Sequence, residues 1–303
     1  MQLPSAAIDL GTNTARLLIG YKESTRSIRQ VVVKRWITRL GGNFTREVGI
    51  AKEAQERSLR ALTDFAEEIK KHGVTRVRAV ATSAVRDAVN GKSFCDKIFV
   101  KTGIRLEVIN SSDEGLLTLQ GVLAGIEGNS GDLLVFDIGG GSTEYTLALG
   151  GKPIFTDSLP LGVVRLTEGK KTFESMVEKI SRELALLKKR LEEEGFLELC
   201  GKVTLVGTAG TATTLAAISM KMADYDYRQV NNYTLPLQEI RDIFAALLPM
   251  TPGERLKVAG LEKGREDLII AGILITLKTM ETFGFSCLKV SDFGLLEGVL
   301  LNA

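Results

Sequence analysis

The sequence contains one strand–turn–strand pattern twice, and the two copies stand about 130 residues apart, which is close to the size of a small domain. The copies are "AAIDLGTNT" at Ala6–Thr14 and "VFDIGGGSTE" at Val135–Glu144. In each copy an apolar strand ends in Asp-x-Gly, small polar residues follow, and a second apolar strand begins. Because a solenoid would repeat at a much shorter period, the pattern predicts two halves of similar architecture.

The segments between and after these copies alternate between strand and helix character. The pattern predicts strands at 27–40, 74–81, 105–109, 132–159, 203–206 and 287–290, and helices at 51–71, 113–125, 172–194, 211–219, 237–247, 266–283 and from 293 onward. Such alternation favours an α/β fold with mixed sheets. The small-residue stretch "GIEGNSGD" places a boundary near 125–131. We therefore predict an N-terminal domain at 1–125 and a C-terminal domain at 126–303.

Composition narrows the kinds of partner to expect. The 303 residues are 44% hydrophobic and 25% charged, as in an ordinary globular protein. The net charge of +2 gives no reason to expect nucleic acid or an anionic membrane as a partner, so an anionic substrate would need a local cluster of cations. The cysteines show no CxxC spacing, no signal peptide is visible, and the longest apolar run, Leu268–Leu277, is too short to span a bilayer. These features predict a reduced, cytoplasmic protein.

The second copy of the pattern has the composition of a phosphate-binding turn. Its three consecutive glycines carry no side chains, so backbone N–H groups of the turn can contact a bulky ligand. Asp137 and Glu144 flank the turn, where they could hold a divalent cation. The alternative is a glycine-rich β-hairpin with two solvated acids, and the motif alone does not decide between them.

A third loop, Leu205–Thr211 ("LVGTAGT"), again places small residues between a strand and a helix. A helix N-terminus suits a phosphate, although an N-cap with a glycine entry would look the same.

Two other phosphate-binding motifs are incomplete in this sequence, because each lacks a required residue. A Walker A loop ending at Gly91-Lys92-Ser93 would need glycine where Arg86 stands, and a dinucleotide fingerprint from Gly139 would need glycine where Glu144 stands.

Together, these stretches resemble the exopolyphosphatase / guanosine pentaphosphate phosphohydrolase (Ppx/GppA) family, in its short two-domain form. The resemblance runs from Ala7 to about Leu301 and is carried by several separate motifs, which makes it more specific than any one of them. The matching stretches are "AAIDLGTNTARLLI", "ATSAVRDAVN", "VINSSDEGLLTLQGV", "DIGGGSTE", "LPLGVVRLTE", "VGTAGTATTLAAI", "GREDLIIAGILI" and "VSDFGLLEGVL".

The resemblance implies a fold and a reaction. The fold would consist of duplicated ribonuclease H-like domains of the actin-like ATPase superfamily, with mixed sheets and a cleft that Asp9 and Asp137 face. The reaction would be hydrolysis of the terminal phosphoanhydride of polyphosphate or guanosine pentaphosphate, with magnesium or manganese as cofactor. A homodimer is a possible assembly.

The resemblance also implies individual roles. Carried over by position, Glu114 would be the base that activates water, and Arg86 would neutralise phosphate charge. Asp137 and Glu144 would bind the metal, with Asp9 a lesser candidate. The phosphate-binding residues implied are Gly11, Thr12, Asn13, Gly139, Gly140, Gly141, Ser142, Gly207 and Gly210. The family usually has arginine where Leu296 stands, which puts one distal contact in doubt.

Plainer alternatives stand beside these roles. Glu114 lies at a natural helix start and could be a capping residue, and Arg86 could form a surface salt bridge with Asp87 or a neighbour. Arg165 lies in "VVRLTE", which could be an edge strand. For the whole chain, the rivals are a sugar kinase or ATPase of the same superfamily and a non-catalytic sensor of the same ligands. The low aromatic content, 6%, favours polyphosphate over a guanosine nucleotide.

Overall fold

Two separate β-sheets organise the chain. The computed structural model describes residues 3–45, 47–128, 131–170 and 172–303. Unit 1 is Met1–Ala124 together with Gly294–Ala303, and unit 2 is Gly125–Phe293. The segment in which we predicted the boundary includes Asn129 and Ser130, which lie outside the described residues.

Unit 1 contains a mixed five-stranded sheet. Its elements before the boundary are β1 (Ser5–Leu10), β2 (Thr14–Ser24), β3 (Ser27–Ile37), α1 (Lys52–Lys71), β4 (Arg76–Ala81), α2 (Ser83–Arg86), α3 (Gly91–Thr102), β5 (Leu106–Val108) and α4 (Ser111–Gly125). The strand order is β3-β2-β1-β4-β5. β1 is central, because it pairs antiparallel with β2 and parallel with β4.

β1 is buried along its whole length because packed side chains lie on both of its faces. Ala6 and Ile8 belong to a core shared with α1 and α3, whereas Ala7 belongs to a smaller core on the opposite face. This alternation is the period-two arrangement of any strand. Full burial of a side chain such as Ile8 stabilises the fold by about 1.5–3 kcal/mol. Asp9, on the same face as Ala7, therefore ends a strand that packing holds rigidly.

Unit 2 contains a mixed six-stranded sheet. Its elements are β6 (Leu133–Ile138), β7 (Thr143–Leu149), β8 (Lys152–Leu159), α5 (Val163–Gly169), α6 (Phe173–Glu193), α7 (Leu197–Cys200), β9 (Thr204–Thr208), α8 (Ala209–Ser219), α9 (Tyr227–Val230), β10 (Thr234–Pro236), α10 (Leu237–Leu247), α11 (Pro252–Arg255), α12 (Ile269–Phe283) and β11 (Cys287–Val290). The strand order is β10-β11-β9-β6-β7-β8.

The two sheets share one topology. In unit 2, β6 pairs antiparallel with β7 and parallel with β9, as β1 does with β2 and β4 in unit 1. A third strand, β3 or β8, extends the antiparallel side, and β10 is the additional edge strand of unit 2. The predicted α/β class, with duplicated ribonuclease H-like halves and mixed sheets, is confirmed.

The closing helix, α13 (Leu295–Leu301), corrects the predicted extent of the second domain. We assigned everything from 126 to the C-terminus to one domain, but α13 belongs to unit 1. Leu296 and Val299 pack with Ala7 of β1 and Leu18 of β2 in the smaller core of that unit. The fully buried Leu296 is therefore a core residue here.

Local structure also differs from the predictions elsewhere: several short elements (α2, α7, α9, α11 and β10) and two longer segments were not predicted. The segment 163–168, for which a strand remained open, lies in the helix α5, whose first turn contains Arg165. Helix α3 was not predicted, since its sequence opens with the glycine, lysine and serine that we considered only as the end of a failed Walker motif. Across the described residues, no helix is both long enough and apolar enough to cross a membrane.

Candidate functional site

The two copies of the sequence pattern form the same turn. In the first loop, Gly11–Asn13, the N–H of Gly11 donates to the carbonyl of Thr14 at 2.9 Å. In the second loop, Gly139–Ser142, the N–H of Gly139 donates to the carbonyl of Ser142, also at 2.9 Å. Each loop joins the central strand of its sheet to the antiparallel neighbour. The sequence repetition is therefore a repetition of backbone geometry.

The second loop presents amides to a ligand. Gly140 and Gly141 are buried, and within the part of the chain that the structure describes their N–H groups have no acceptor. A buried donor without a partner costs about 1–3 kcal/mol, so native structures usually supply one. Successive backbone N–H groups in a turn form an anion-binding concavity. This geometry fits the predicted binding of phosphate by the glycines.

Asp137 and Glu144 lie directly opposite each other on β6 and β7. Side chains at such positions project from the same face, with Cβ atoms about 4.5–5.5 Å apart. Glu144 is buried, and its Oε1 accepts a hydrogen bond from Ser158 Oγ at 2.8 Å. The structure thus brings the two predicted metal-binding carboxylates together on adjacent strands. Among the described residues, no cluster of three or more acidic, histidine or cysteine side chains is arranged to hold a metal.

Asp9 is the corresponding carboxylate of unit 1. It is buried, and its Oδ1 has no hydrogen-bond partner among the described residues. Burial raises the pKa of Asp9 to about 6, and the positive charge of Arg16, directly across the strand pair, opposes that rise. Asn13 Oδ1 is buried and unpartnered in the same part of the molecule. Two unsatisfied oxygen atoms at one turn are the kind of ligand that a hard cation takes.

Glu114 and Arg86, the predicted catalytic residues, contact each other. Nη1 of Arg86 donates to Oε2 of Glu114 at 3.1 Å and to the carbonyl of Ile109 at 3.0 Å. The side chain of Glu114 is 10% exposed, whereas that of Arg86 is 23% exposed. The pairing with Asp87, considered from the sequence, is longer, at 3.9 Å. Arg86 therefore holds the carboxylate of Glu114 in a fixed orientation.

Asn110 caps the N-terminus of α4. The N–H of Asp113 donates to Oδ1 of Asn110 at 2.8 Å, and Nδ2 of Asn110 donates to Oδ2 of Asp113 at 2.9 Å. The Asn110 side chain thus accepts a backbone N–H of the first turn, as an N-cap residue does, and the carboxylate of Asp113 accepts from the Asn110 amide. The carboxylate of Glu114, the next residue, accepts a hydrogen bond from Arg86.

The residues of unit 1 share one end of its sheet. Asp9 stands near the C-terminal end of β1, Arg86 follows β4, and Glu114 follows β5. These strands are parallel, and ligands of open α/β sheets bind at the C-terminal ends of such strands. The hydroxyls of Thr12 and Ser83 lie 2.9 Å apart, which ties the first loop to the start of α2. Ser83 was not singled out from the sequence.

The third loop is arranged differently from the other two. Gly207 lies inside β9, where an added Cβ would lie 3.0 Å from the ring of Phe136, so a side chain at this position would crowd the core. An added Cβ at Gly210 would lie 1.7 Å from Nη1 of Arg265. The guanidinium of Arg265 thus covers the start of α8, and it also pairs with Glu262 at 3.0 Å. Sequence reasoning missed this cation, although it lies in the quoted stretch "GREDLIIAGILI".

The fold defines the class as a two-domain α/β protein in which two sheets of the same topology each carry an Asp-x-Gly turn. Within that class, the model of the Ppx/GppA phosphatase family matches residues 20–303. The chain belongs to the Ppx/GppA phosphatase family.

Individual relatives agree with this assignment. The chain is 34% identical to exopolyphosphatase 2 of Mycobacterium tuberculosis, covering 98% of this chain and 97% of the relative. It is 32% identical to a bifunctional 3-dehydroquinate synthase/phosphatase of Fusobacterium nucleatum, of which it spans 46%. Two solved structures are similar over almost the whole chain: the PPX-GPPA enzyme of Aquifex aeolicus (TM-score 0.80, 34% identity, 100% of both chains) and an exopolyphosphatase of Cytophaga hutchinsonii (TM-score 0.88, 27% identity, 99% and 98%).

Proposed function

We propose that this protein hydrolyses the terminal phosphoanhydride bond of inorganic polyphosphate, with guanosine pentaphosphate as a second candidate substrate. The observation that carries the proposal is Glu114, a buried acid whose carboxylate accepts a hydrogen bond from Arg86. Membership of a phosphatase family supports hydrolysis. The name of the relative in Mycobacterium tuberculosis supports polyphosphate.

In the proposed reaction, Glu114 accepts a proton from a water molecule whose oxygen attacks the terminal phosphorus. The bond from that phosphorus to the bridging oxygen breaks, which releases orthophosphate and a chain shorter by one phosphate. General-base catalysis of this kind contributes about 10²–10⁴-fold to the rate. Arg86 orients the carboxylate, and the N–H groups of Gly140 and Gly141 hold phosphate oxygens. Positioning and charge neutralisation are the main requirements of phosphoryl transfer.

A divalent cation, magnesium or manganese, fits the acids of unit 2. Magnesium is usually held by one or two carboxylates together with substrate phosphates and water, and a complete protein cage is unnecessary. Asp137 and Glu144 supply such a pair on one face of the sheet. When bound, the cation neutralises charge that develops on the phosphates. Asp9, with its unpartnered Oδ1, is a further candidate ligand in unit 1.

Polyphosphate is favoured over the nucleotide because only 6% of the residues are aromatic, which leaves few side chains on which a base could stack. Tyr227 and Phe293 stack on each other with ring centroids 6.4 Å apart, so these two rings already serve as each other's packing partner.

The cysteines Cys95, Cys200 and Cys287 are free, which supports a reducing compartment such as the cytoplasm.

The decisive experiment compares phosphate release from short polyphosphate, long polyphosphate and guanosine pentaphosphate in a magnesium buffer. We expect release from polyphosphate at least. Formation of ADP from ATP that depends on an added sugar would support a kinase and contradict the proposal. Tight binding of polyphosphate without any release would support a non-catalytic sensor instead. A mass measurement in solution tests the homodimer that the family resemblance implies.

A further inference from the structure

We propose that the segment Leu161–Arg165 is a clamp that positions the second loop for phosphate, with Gly162 as its essential positioning residue. The inference rests on the proposed function, in which the second loop holds phosphate oxygens. The clamp consists of the chain just after β8 and the first turn of α5. It would act through the loop and without contact to the substrate.

Backbone hydrogen bonds join the clamp to the loop. The N–H of Val163 donates to the carbonyl of Gly139 at 3.0 Å. The N–H groups of Val164 and Arg165 both donate to the carbonyl of Gly140, at 3.0 and 3.1 Å. These donors are among the first N–H groups of α5, which have no partner inside the helix. These N–H groups at the start of α5 therefore donate to the loop, so they are not available to bind a ligand.

The clamp fixes the direction of the amides on the other side of the same peptide units. In a trans peptide, the carbonyl of one residue and the N–H of the next point in opposite directions. The described residues contain no cis peptide bond. Because the carbonyls of Gly139 and Gly140 point toward α5, the N–H groups of Gly140 and Gly141 point away from it. Those are the two buried amides that lack an acceptor within the described chain.

Close approach explains why residue 162 is glycine. A Cβ added at Gly162 would lie 2.2 Å from the carbonyl oxygen of Gly140 and 2.3 Å from the carbonyl carbons of Gly140 and Gly141. The backbone of Gly162 is extended, with φ −112 and ψ 147, so any residue could adopt its conformation. A side chain at this position would therefore push the loop rather than strain its own backbone.

Unit 1 contains a similar arrangement. The N–H of Gly41 donates to the carbonyl of Thr12 at 2.8 Å, and those of Thr38 and Arg39 both donate to the carbonyl of Asn13 at 2.9 Å. A Cβ added at Gly41 would lie 2.3 Å from Cγ2 of Thr12. This segment follows β3, the topological equivalent of β8. A clamp after the third strand thus occurs in both units, which favours a role in shaping the loops.

The test compares Gly162→Ala with Gly169→Ala. Gly169 is the last residue of α5, is exposed, and would place an added Cβ in open space. The probe is methylenediphosphonate with Mg²⁺, a non-hydrolysable diphosphate, titrated calorimetrically, followed by kcat and KM on polyphosphate. A displacement near 1 Å can cost about 10²-fold, so we expect Gly162→Ala to lower kcat/KM by that order and to weaken diphosphonate binding. Gly169→Ala should stay within about twofold of wild type.

A second pair of variants applies if Gly162→Ala does not fold. Thr143 Oγ1 donates to the carbonyl of Leu161, so Thr143→Val removes one attachment of the clamp and Thr143→Ser retains it. We expect weaker diphosphonate binding in the valine variant and near-normal binding in the serine variant. Equal affinity in both, or wild-type affinity in folded Gly162→Ala, would overturn the clamp. A wild-type protein that binds diphosphonate but releases no phosphate from any substrate would instead contradict the proposed function.

Discussion

The substitution Glu114→Gln tests the proposed general base most directly. Glutamine has nearly the same size as glutamate, and its oxygen can still accept a hydrogen bond from Arg86. It cannot accept a proton from water at neutral pH. The change therefore separates proton transfer from the packing and orientation of the side chain.

The expected effects on the rate and on the free energy of unfolding differ in size. Loss of a general base should lower the rate by about 10²–10⁴-fold, which corresponds to about 3–5 kcal/mol of transition-state stabilisation. The free energy of unfolding should fall much less. A hydrogen bond between charged groups contributes about 1.5–3 kcal/mol, and glutamine keeps part of it, so we expect a loss of about 1 kcal/mol. Phosphate and metal contacts are assigned to other residues, so substrate binding should persist.

Asp113→Asn is the matched control. Asp113 is the neighbouring acid, and its side chain is engaged with Asn110 at the start of α4. We expect its phosphate release to remain close to that of wild type. Release is measured on polyphosphate, binding by calorimetry and folding by urea denaturation. Near-normal turnover by a folded Glu114→Gln variant would refute the mechanism, as would equal losses in Glu114→Gln and Asp113→Asn.

Arg86 offers a further test of the same contact. If Arg86 acts by orienting Glu114, then adding Arg86→Lys to Glu114→Gln should cost little beyond the single change, since residues that act as a unit are strongly non-additive. If Arg86 binds phosphate independently, as the sequence suggested, the losses in kcat/KM should multiply. The double-mutant cycle therefore decides between a positioning role and a substrate contact.

Other expectations concern the metal, the pH dependence and the core. Excess chelator should abolish phosphate release, and full turnover in chelator would exclude a metal. Glu144→Gln should raise the Mg²⁺ concentration needed for half-maximal activity by about tenfold or more. The pKa of Asp9 rises from 3.8 to about 6 on folding, so its contribution to stability is complete below pH 3.8 and is lost as the pH rises through 6. In urea unfolding with chelator, Asp9→Asn should therefore raise the free energy of unfolding by about 3 kcal/mol at pH 8. At pH 4 it should leave that free energy nearly unchanged. Leu296→Arg, which introduces the usual family residue, should destabilise the chain by about 3 kcal/mol or more, because Leu296 is fully buried; unchanged thermal unfolding would contradict this.

Local sequence patterns predicted much of the fold because helices and strands depend on the spacing of apolar residues. The predicted helix at 237–247 and strand at 287–290 coincide with α10 (Leu237–Leu247) and β11 (Cys287–Val290). The predicted pairing of two similar halves follows from the repeated Asp-x-Gly pattern, which the strand order bears out. The predicted extent of the second domain was wrong at α13, because the contacts that place this helix are with residues distant in the sequence. Nothing within α13 shows that it packs against β1, far away in the sequence.

The site was less predictable because its geometry depends on contacts between distant residues. The sequence could not choose between Glu114 as a cap and Glu114 as a functional acid, since that choice depends on Arg86 and Asn110. Gly162 had no visible reason to be glycine, because the reason is the nearby carbonyl of Gly140. Arg265, which covers Gly210, was missed for the same reason. In each case the partner in space, and not the local composition, explains the residue.

The two loops share a backbone turn, yet they differ in what they present. Thr12 and Asn13 keep side chains that are buried in unit 1, where Thr12 contacts Ser83, whereas the equivalent positions of the second loop are glycines that present only amides. Unit 1 also carries the paired Glu114 and Arg86, with the unpartnered Oδ1 of Asp9. Side chains can accept protons and neutralise charge, but backbone N–H groups can only donate to an anion. The two loops therefore differ in chemistry although they share a turn: the first carries buried side chains at the positions where the second has only backbone amides.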